Sequence, residues 1–308
     1  MTNTAFLFPG QGAQFVGMGR DFYEIFPVAK HTFEQAAEVL GSAFLEVIFS
    51  GPEEKLQQTE YTQPAILTVS VAMYRVLESM GIKATGMAGL SLGEYSALVA
   101  SGSISFEEAL PLVRKRGILM QKAVPIGQGG MVAVMGLSHT SVVELCNGVR
   151  ETGLVAPANF NCPGQIVISG DLPALKEAID LARKAGAKKI TWLKVSAPFH
   201  CELLRPVESE LADELEKIKI QKPAIPVVFN ISARFCREPA QIKANLIRQV
   251  SNPILWEQSI HTLLAARIGS FVGLGPGSSL ARLMKRIAPE TRAYAVENVE
   301  AIRKLDDN

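Results

Sequence analysis

Ala88-Gly89-Leu90-Ser91-Leu92-Gly93-Glu94-Tyr95-Ser96 contains Gly-x-Ser-x-Gly, the signature of a serine held on a sharp strand-to-helix turn. Such a turn crowds the backbone two residues either side of the serine. Gly89 and Gly93 remove the Cβ atoms that would clash there. The hydroxyl then stands at a helix N-terminus, whose free N–H groups favour developing negative charge. The flanks agree with this reading. Residues 82–88 can hold a short strand, and residues 94–100 carry no Gly or Pro and read as helix up to Ser101-Gly102. The five-residue pattern alone also fits a plain glycine-rich turn in a doubly wound sheet, so the rest of the chain must decide.

The 308 residues suffice for one large domain, or for one with an inserted subdomain. Hydrophobic residues make up 48% and charged residues 20%, ample material for a core. A net charge of +1 excludes the strongly basic footprint of a nucleic-acid binder. Cys146, Cys162, Cys201 and Cys236 are scattered, with no Cys-x-x-Cys pair. That argues against a metal site or redox couple and for reduced thiols in the cytoplasm. Residues 1–6 lack the basic and apolar regions of a signal peptide, and no apolar run reaches the roughly 20 residues of a membrane span.

Ala5-Phe6-Leu7-Phe8 reads as a buried strand that runs into Pro9-Gly10-Gln11-Gly12-Ala13-Gln14. This glycine loop matches no phosphate-binding fingerprint. It is either a mere turn or a source of backbone N–H groups for an oxyanion. Helical spacing runs over 21–48, and a long helix opens at Gln63-Pro64 and closes at Gly81. Ser105-x-x-Glu108 is a capping box. Its helix carries Arg116 on one stripe with Leu112, Val113, Leu119 and Met120, whereas Arg114 and Lys115 read as a solvated face. An arginine on an apolar stripe either snorkels or pairs with something buried, and a substrate carboxylate is a suitable partner.

Residues 130–195 follow a different order: strand 130–135, helix 138–149, strands 154–160 and 165–169, helix 172–185, strand 189–195. This β-α-β-β-α-β succession is the ferredoxin-like split unit. Asn159, Asn161 and Pro163-Gly164 sit on its inner turn. The fold class is therefore α/β. A large, hydrolase-like domain of mostly parallel sheet flanked by helices (1–126 and 198–308) is interrupted by a small ferredoxin-like α+β subdomain (127–197). Further strands are expected at 227–230, 271–274 and 293–296, and helices at 203–216, 242–249, 254–266 and 280–288.

Ser196-Ala197-Pro198-Phe199-His200-Cys201 follows the inserted unit, and Pro198 keeps Ala197 out of helical angles. His31 and His139 read as surface residues and His261 as packed or exposed in mid-helix. His200 alone stands on a loop with apolar neighbours. A serine nucleophile needs a base, and imidazole is the usual one. Taken by itself, His200 fits a structural histidine better than a catalytic one. An α/β-hydrolase would add an acid between the two. Asp171 and Asp180 are available, but both fall at the second helix of the inserted unit. A long structured tail follows the histidine, and no His-Gly-Gly-Gly stretch exists. An esterase or lipase ranks second.

Seven motifs stand in one order: 8–14 (Phe-Pro-Gly-Gln-Gly-Ala-Gln), Thr62-Gln63-Pro64-Ala65, Gly89 to Ala97, Arg116-Gly117-x-x-Met120-Gln121, Asn159-Phe160-Asn161-x-Pro163-Gly164-Gln165, Pro198-Phe199-His200 and Gly275-Pro276-Gly277. From about residue 5 to 298 the chain resembles the malonyl-CoA:acyl carrier protein transacylases of fatty-acid synthesis. The resemblance implies a ping-pong acyl transfer with Ser91 as nucleophile and His200 as base. It implies backbone N–H groups of Gln11 and Leu92 as the oxyanion hole, and Arg116 as partner of the malonyl carboxylate. The backbone carbonyl of Gln249 would orient the histidine in place of a triad acid. Phe199 would disfavour branched acyl groups, and Asn159 and Asn161 would contact substrate. Leu90 departs from the pattern, which commonly has histidine there. The implied substrates are a coenzyme A thioester and an acyl carrier protein, with no cofactor or metal, and a monomer is expected. Steering of an acidic carrier would fall to Arg183, Lys184, Lys188 and Lys189, or to Lys285 and Arg286; either set also fits a solvated face. A serine hydrolase and a non-catalytic carrier-binding module are the competing readings.

Overall fold

A computed structural model describes residues 3–125, 127–195 and 197–306, without the side chains of 304–306. Ile126, expected to end the first large-domain segment, and Ser196, expected to open the histidine loop, lie outside the described residues, as do 1–2 and 307–308. Among the described residues, ten strands form two sheets. They are β1 (Thr4–Phe8), β2 (Gly86–Gly89), β3 (Gly129–Met135), β4 (Val155–Cys162), β5 (Gln165–Asp171), β6 (Lys189–Trp192), β7 (Val227–Phe229), β8 (Arg234–Cys236), β9 (Ser270–Leu274) and β10 (Arg292–Val296).

The larger sheet has the order β10-β9-β1-β2-β7-β8 and is parallel apart from the antiparallel edge pair β7–β8. Helices on both faces bury β1 from Ala5 to Phe8, which explains why that strand is uniformly apolar rather than alternating. The smaller sheet, β4-β5-β3-β6, is antiparallel throughout. With the helices His139–Gly148 and Leu172–Lys184 between its strands, it has the expected ferredoxin-like connectivity. Its alternation is functional. Val132 and Val134 pack under the two helices, while Met131, Ala133 and Met135 turn to the opposite face, towards the large sheet's cavity.

The helical stretch expected over 21–48 is broken into Arg20–Ile25, Pro27–Leu40 and Ala43–Ser50. Pro27 forces Phe26 into an extended conformation, and Gly41 leaves the helix with φ +94. The long helix begins at Thr59, four residues ahead of expectation, with Pro64 inside its second turn. The helix expected at 203–216 becomes a 3₁₀ turn, Glu202–Leu204, and a helix from Val207, because Pro206 cannot continue the first. That expected from 254 begins at Trp256, since Ile254 bridges to Asn159. β8 is an unpredicted three-residue edge strand, too short to show periodicity.

The elbow is a matter of close approach. Phe8 on β1 lies opposite Gly89 on β2. A Cβ on Gly89 would stand 1.9 Å from the carbonyl of Gly93, and one on Gly93 would stand 2.0 Å from the carbonyl oxygen of Phe8. The two glycines thus have different duties: Gly89 lets the turn close, and Gly93 lets the helix Gly93–Ala100 press against the end of the neighbouring strand. Gly93→Ala should lower the unfolding free energy by about 3 kcal/mol or more, since only backbone can give way. Gly102→Ala, at φ +72 but in open space, should cost only about 1 kcal/mol. Urea unfolding of both variants checks the contrast.

Candidate active site

The strand ends β1, β2, β7 and β9 deliver their loops to one edge of the parallel sheet, where open α/β sheets bind ligands. The smaller sheet closes over that edge and encloses a cavity of about 590 Å³. Ser91, Leu92, Gln11, Arg116, Phe199 and His200 all line it, as do Asn159 and Asn161 from β4. Gln249 stands behind the wall, fully buried at the end of the helix Pro239–Gln249.

Ser91 and His200 both hold positive φ, 53° and 62°, which a non-glycine residue adopts at a cost and only when its surroundings impose it. Ser91 Oγ lies 2.7 Å from His200 Nε2, and His200 Nδ1 lies 2.8 Å from the Gln249 carbonyl oxygen. A carbonyl only accepts, so Nδ1 carries the hydrogen and Nε2 presents its lone pair to the Ser91 hydroxyl. Burial first, and the Arg116 cation second, push the imidazole pKa down to about 3, against the opposing pull of the Gln249 carbonyl. The ring is neutral at physiological pH, the form that accepts a proton from serine.

Arg116 neither snorkels nor finds a salt bridge. It is fully buried, and its Nη1 donates to Gln63 Oε1 at 2.8 Å, its Nη2 to Gln249 Oε1 at 2.9 Å and to Ser91 Oγ at 3.3 Å. Its Nε has no hydrogen-bond partner among the described residues, and the guanidinium stacks over the Tyr95 ring at 5.3 Å. Gly117 makes this position reachable: a Cβ there would stand 2.6 Å from the Thr59 carbonyl oxygen, so glycine lets the two long helices touch and brings Arg116 to Gln63. Glu94, whose carboxyl acts on Arg116, is buried with its pKa pushed up to about 8, so at neutral pH it offers little compensating charge. Removing an anion from water to meet such a cation costs less than it would elsewhere, because the cation is already desolvated.

Gln11 and Leu92 line this cavity, and their backbone N–H groups make no hydrogen bond among the described residues. The Gln11 side chain is held by Thr59 at 3.3 Å. Asn161 Oδ1 is buried without a partner among the described residues, and Asn159 is 8% exposed. Phe199 is buried beside the histidine. Leu90 lines the cavity's rim. Neither rival acid reaches His200: Asp171 accepts the Leu154 N–H, and Asp180 pairs with Arg183 on the surface. His139, read as a surface residue, instead packs edge-on to Phe160 with Glu257 at 3.1 Å, because the subdomain helix meets the large domain there. Of the two basic groups, only Arg286 lines the cavity; it donates to Gln165 Oε1 and the Pro163 carbonyl, both at 2.6 Å.

Gln63, Glu94, Asn230 and Arg282 were not singled out in the sequence. Gln63 and Glu94 stood inside quoted motifs, and Asn230 ended an expected strand at the edge where ligands bind; those were the available signals. Among the described residues no three side chains group as metal ligands, and no helix is long and apolar enough to cross a membrane.

Residues 5–304 match the acyl transferase domain family. The chain belongs to that family. This acyl transferase domain is 44% identical over 303 residues to the malonyl CoA-acyl carrier protein transacylase of Bacillus subtilis, covering 98% of this chain and 96% of the relative. Its structure matches an acyl carrier protein S-malonyltransferase from Vibrio cholerae with a TM-score of 0.96 at 41% identity, over 99% of this chain and 100% of the other. It also matches a malonyl-transacylase solved in complex with its type II PKS acyl-carrier protein, with a TM-score of 0.97 at 41% identity, over the whole of both chains.

Glu94 and His200, two of the shifted groups of this acyl transferase domain, set opposite pH dependences. Folded, Glu94 holds its proton up to about 8, whereas the unfolded carboxyl releases it near 4.5. Its contribution to stability is therefore full below 4.5 and is lost as pH rises through about 8. The lowered His200 acts the other way, losing stability as pH falls from 6.5 towards 3. Between 6.5 and 8 the His200 contribution is full and constant, and only that of Glu94 changes with pH. Urea midpoints should fall across that interval, and Glu94→Gln should flatten the fall.

Proposed function

We propose that this chain moves a malonyl group from malonyl-CoA to the phosphopantetheine thiol of an acyl carrier protein, by ping-pong through a malonyl-Ser91 ester, in fatty-acid synthesis. The observation that carries the reading is the buried, carboxylate-free Arg116 lying 3.3 Å from a hydroxyl that also sits 2.7 Å from a neutral histidine. A serine–histidine pair alone serves any acyl group. A desolvated cation beside it selects an acyl group that brings its own carboxylate.

Ser91 Oγ attacks the thioester carbonyl while its proton passes to His200 Nε2. The tetrahedral oxyanion is held by the free N–H groups of Gln11 and Leu92. Collapse breaks the C–S bond, and coenzyme A leaves as its thiol with the proton from His200. The carrier thiol then gives its proton to His200 and attacks the ester, and Ser91 recovers its proton as the oxygen leaves. Throughout, the Gln249 carbonyl holds Nδ1–H and keeps Nε2 as the accepting atom. The malonyl carboxylate meets Arg116 through the unpartnered Nε and by displacing neutral amide oxygens from the Nη groups. Phe199 limits branching at the acyl α-carbon, and Asn159 and Asn161 contact the pantetheine side of the substrate. The large domain comprises 1–126 and 198–308, with 127–197 as the subdomain above the cavity. The setting is the cytoplasm, in keeping with the four free cysteines. The carrier docks at the exposed Lys285 and Arg286, on the helix Ser279–Ile287 whose Arg282 and Arg286 reach the cavity.

Arg116→Ala should lower malonyl transfer about a hundredfold and acetyl transfer less than about tenfold, the difference expected for a lost charge-assisted pair. Equal loss for both donors would remove the carboxylate role. Lys285→Glu should raise the KM for carrier about tenfold at low salt and much less at high salt, with acylation of Ser91 unchanged; steady-state transfer at two ionic strengths reads this. Malonyl-enzyme that decays equally fast with and without carrier would instead make the protein a hydrolase.

A further inference from the structure

We propose that Asn230 is a positioning residue that holds the nucleophile elbow in its reactive shape; the inference rests on the reading of Ser91 as nucleophile. Asn230 follows β7, which pairs with β2 through Met87↔Val227 and Ala88↔Val228. The register carries it out of the sheet beside the serine, at the same edge and fully buried. Its planar amide spans the elbow. Nδ2 donates to the Gly89 carbonyl at 2.7 Å, and Oδ1 accepts the Ser91 N–H at 2.7 Å. These are the peptide groups on either side of Leu90, so the turn is clamped from both ends where Ser91 adopts φ 53°.

The clamp has a second consequence. With the Ser91 N–H engaged, the Leu92 N–H is left as the elbow donor free to meet an oxyanion. Asn230 is itself rigidly held. Its N–H donates to Glu94 Oε2 at 2.6 Å, its carbonyl accepts the Leu255 N–H at 2.9 Å, and Oδ1 also accepts Gln249 Nε2 at 3.3 Å. Gln249 in turn bears His200 on its carbonyl and Arg116 on its side-chain oxygen. One amide therefore references the nucleophile to the base and to the cation. The task needs a donor and an acceptor side by side on one plane. An ionised aspartate supplies only acceptors, and leucine, of similar size, supplies neither.

The test uses the full chain with malonyl-CoA, reading single-turnover acylation by intact mass and normalising each rate to the titrated number of active sites. Asn230→Leu should slow acylation about a hundredfold, the loss typical of a misplaced reacting group, with the KM for malonyl-CoA within about threefold of wild type. Asn230→Asp, which keeps the Ser91 bond and loses the Gly89 bond, should lie between, at about a tenfold loss. A purely structural role would lower the melting temperature and the number of titratable sites but leave the rate per site unchanged; a rate within threefold of wild type in Asn230→Leu overturns the proposal. If that variant does not fold, Asn230→Asp decides by the same threefold limit. Ser91→Ala is run alongside: should it take up malonyl at the wild-type rate, the nucleophile assignment itself fails and the clamp falls with it, whatever the Asn230 variants do.

Discussion

Every reactive group in the cavity is tied to Gln249, a residue that never reaches the cavity itself. Its main-chain oxygen orients the histidine, its side-chain oxygen anchors the arginine, and its side-chain nitrogen donates to the Ser91 carbonyl at 3.0 Å. The bonds are buried, where each is electrostatically stronger than in water and where each would be costly to leave unmade. The helix Pro239–Gln249 that carries it must therefore end at the elbow, and the histidine loop must pass that helix end. His200 N–H donates to the Val250 carbonyl at 3.2 Å, which fixes the loop there.

The arginine is the expensive component. A guanidinium with no exposure and no carboxylate beside it carries a desolvation cost that hydrogen bonds to neutral amides only partly offset. Burial lowers its pKa, and the phenol oxygen of Tyr95 and the carboxyl of Glu94 pull the other way. The same charge depresses the pKa of His200, keeping the base neutral next to its serine. One buried cation thus keeps the base neutral and supplies the charge proposed to select the acyl group. The sheet above contributes shape: Met131, Ala133 and Met135 present an apolar roof, so a thioester's polar end is directed to the few polar groups below.

Parts of this were legible in the order of residues. Apolar patterning located the strands at 5–8, 130–135, 165–169 and 271–274, because each is buried on both faces and so is apolar nearly throughout. It misjudged 21–48, where proline and glycine break the chain without disturbing the apolar spacing, and it passed over β8, whose three residues carry no period. The elbow was legible because close backbone approach leaves glycine as the only solution at two fixed offsets. Arg116 stood out because a charge on an apolar stripe needs a reason. Asn230 and Glu94 did not stand out, since a strand-end asparagine and a first-turn glutamate are ordinary in both buried and exposed settings.

By itself the sequence determined local geometry: where the chain turns, which faces are apolar, and that Ser91 would sit strained at a helix start. These follow from sterics and periodicity within a few residues. Only the tertiary structure decided that His200, 109 residues away, would present Nε2 rather than Nδ1 to that serine. It alone decided that Arg116 would lie unpaired beside the serine, and that Gln11 and Leu92 would share a cavity. The reason is physical. Protonation, desolvation and donor direction depend on what long-range packing brings within about 3 Å, and no local pattern of residues specifies those neighbours.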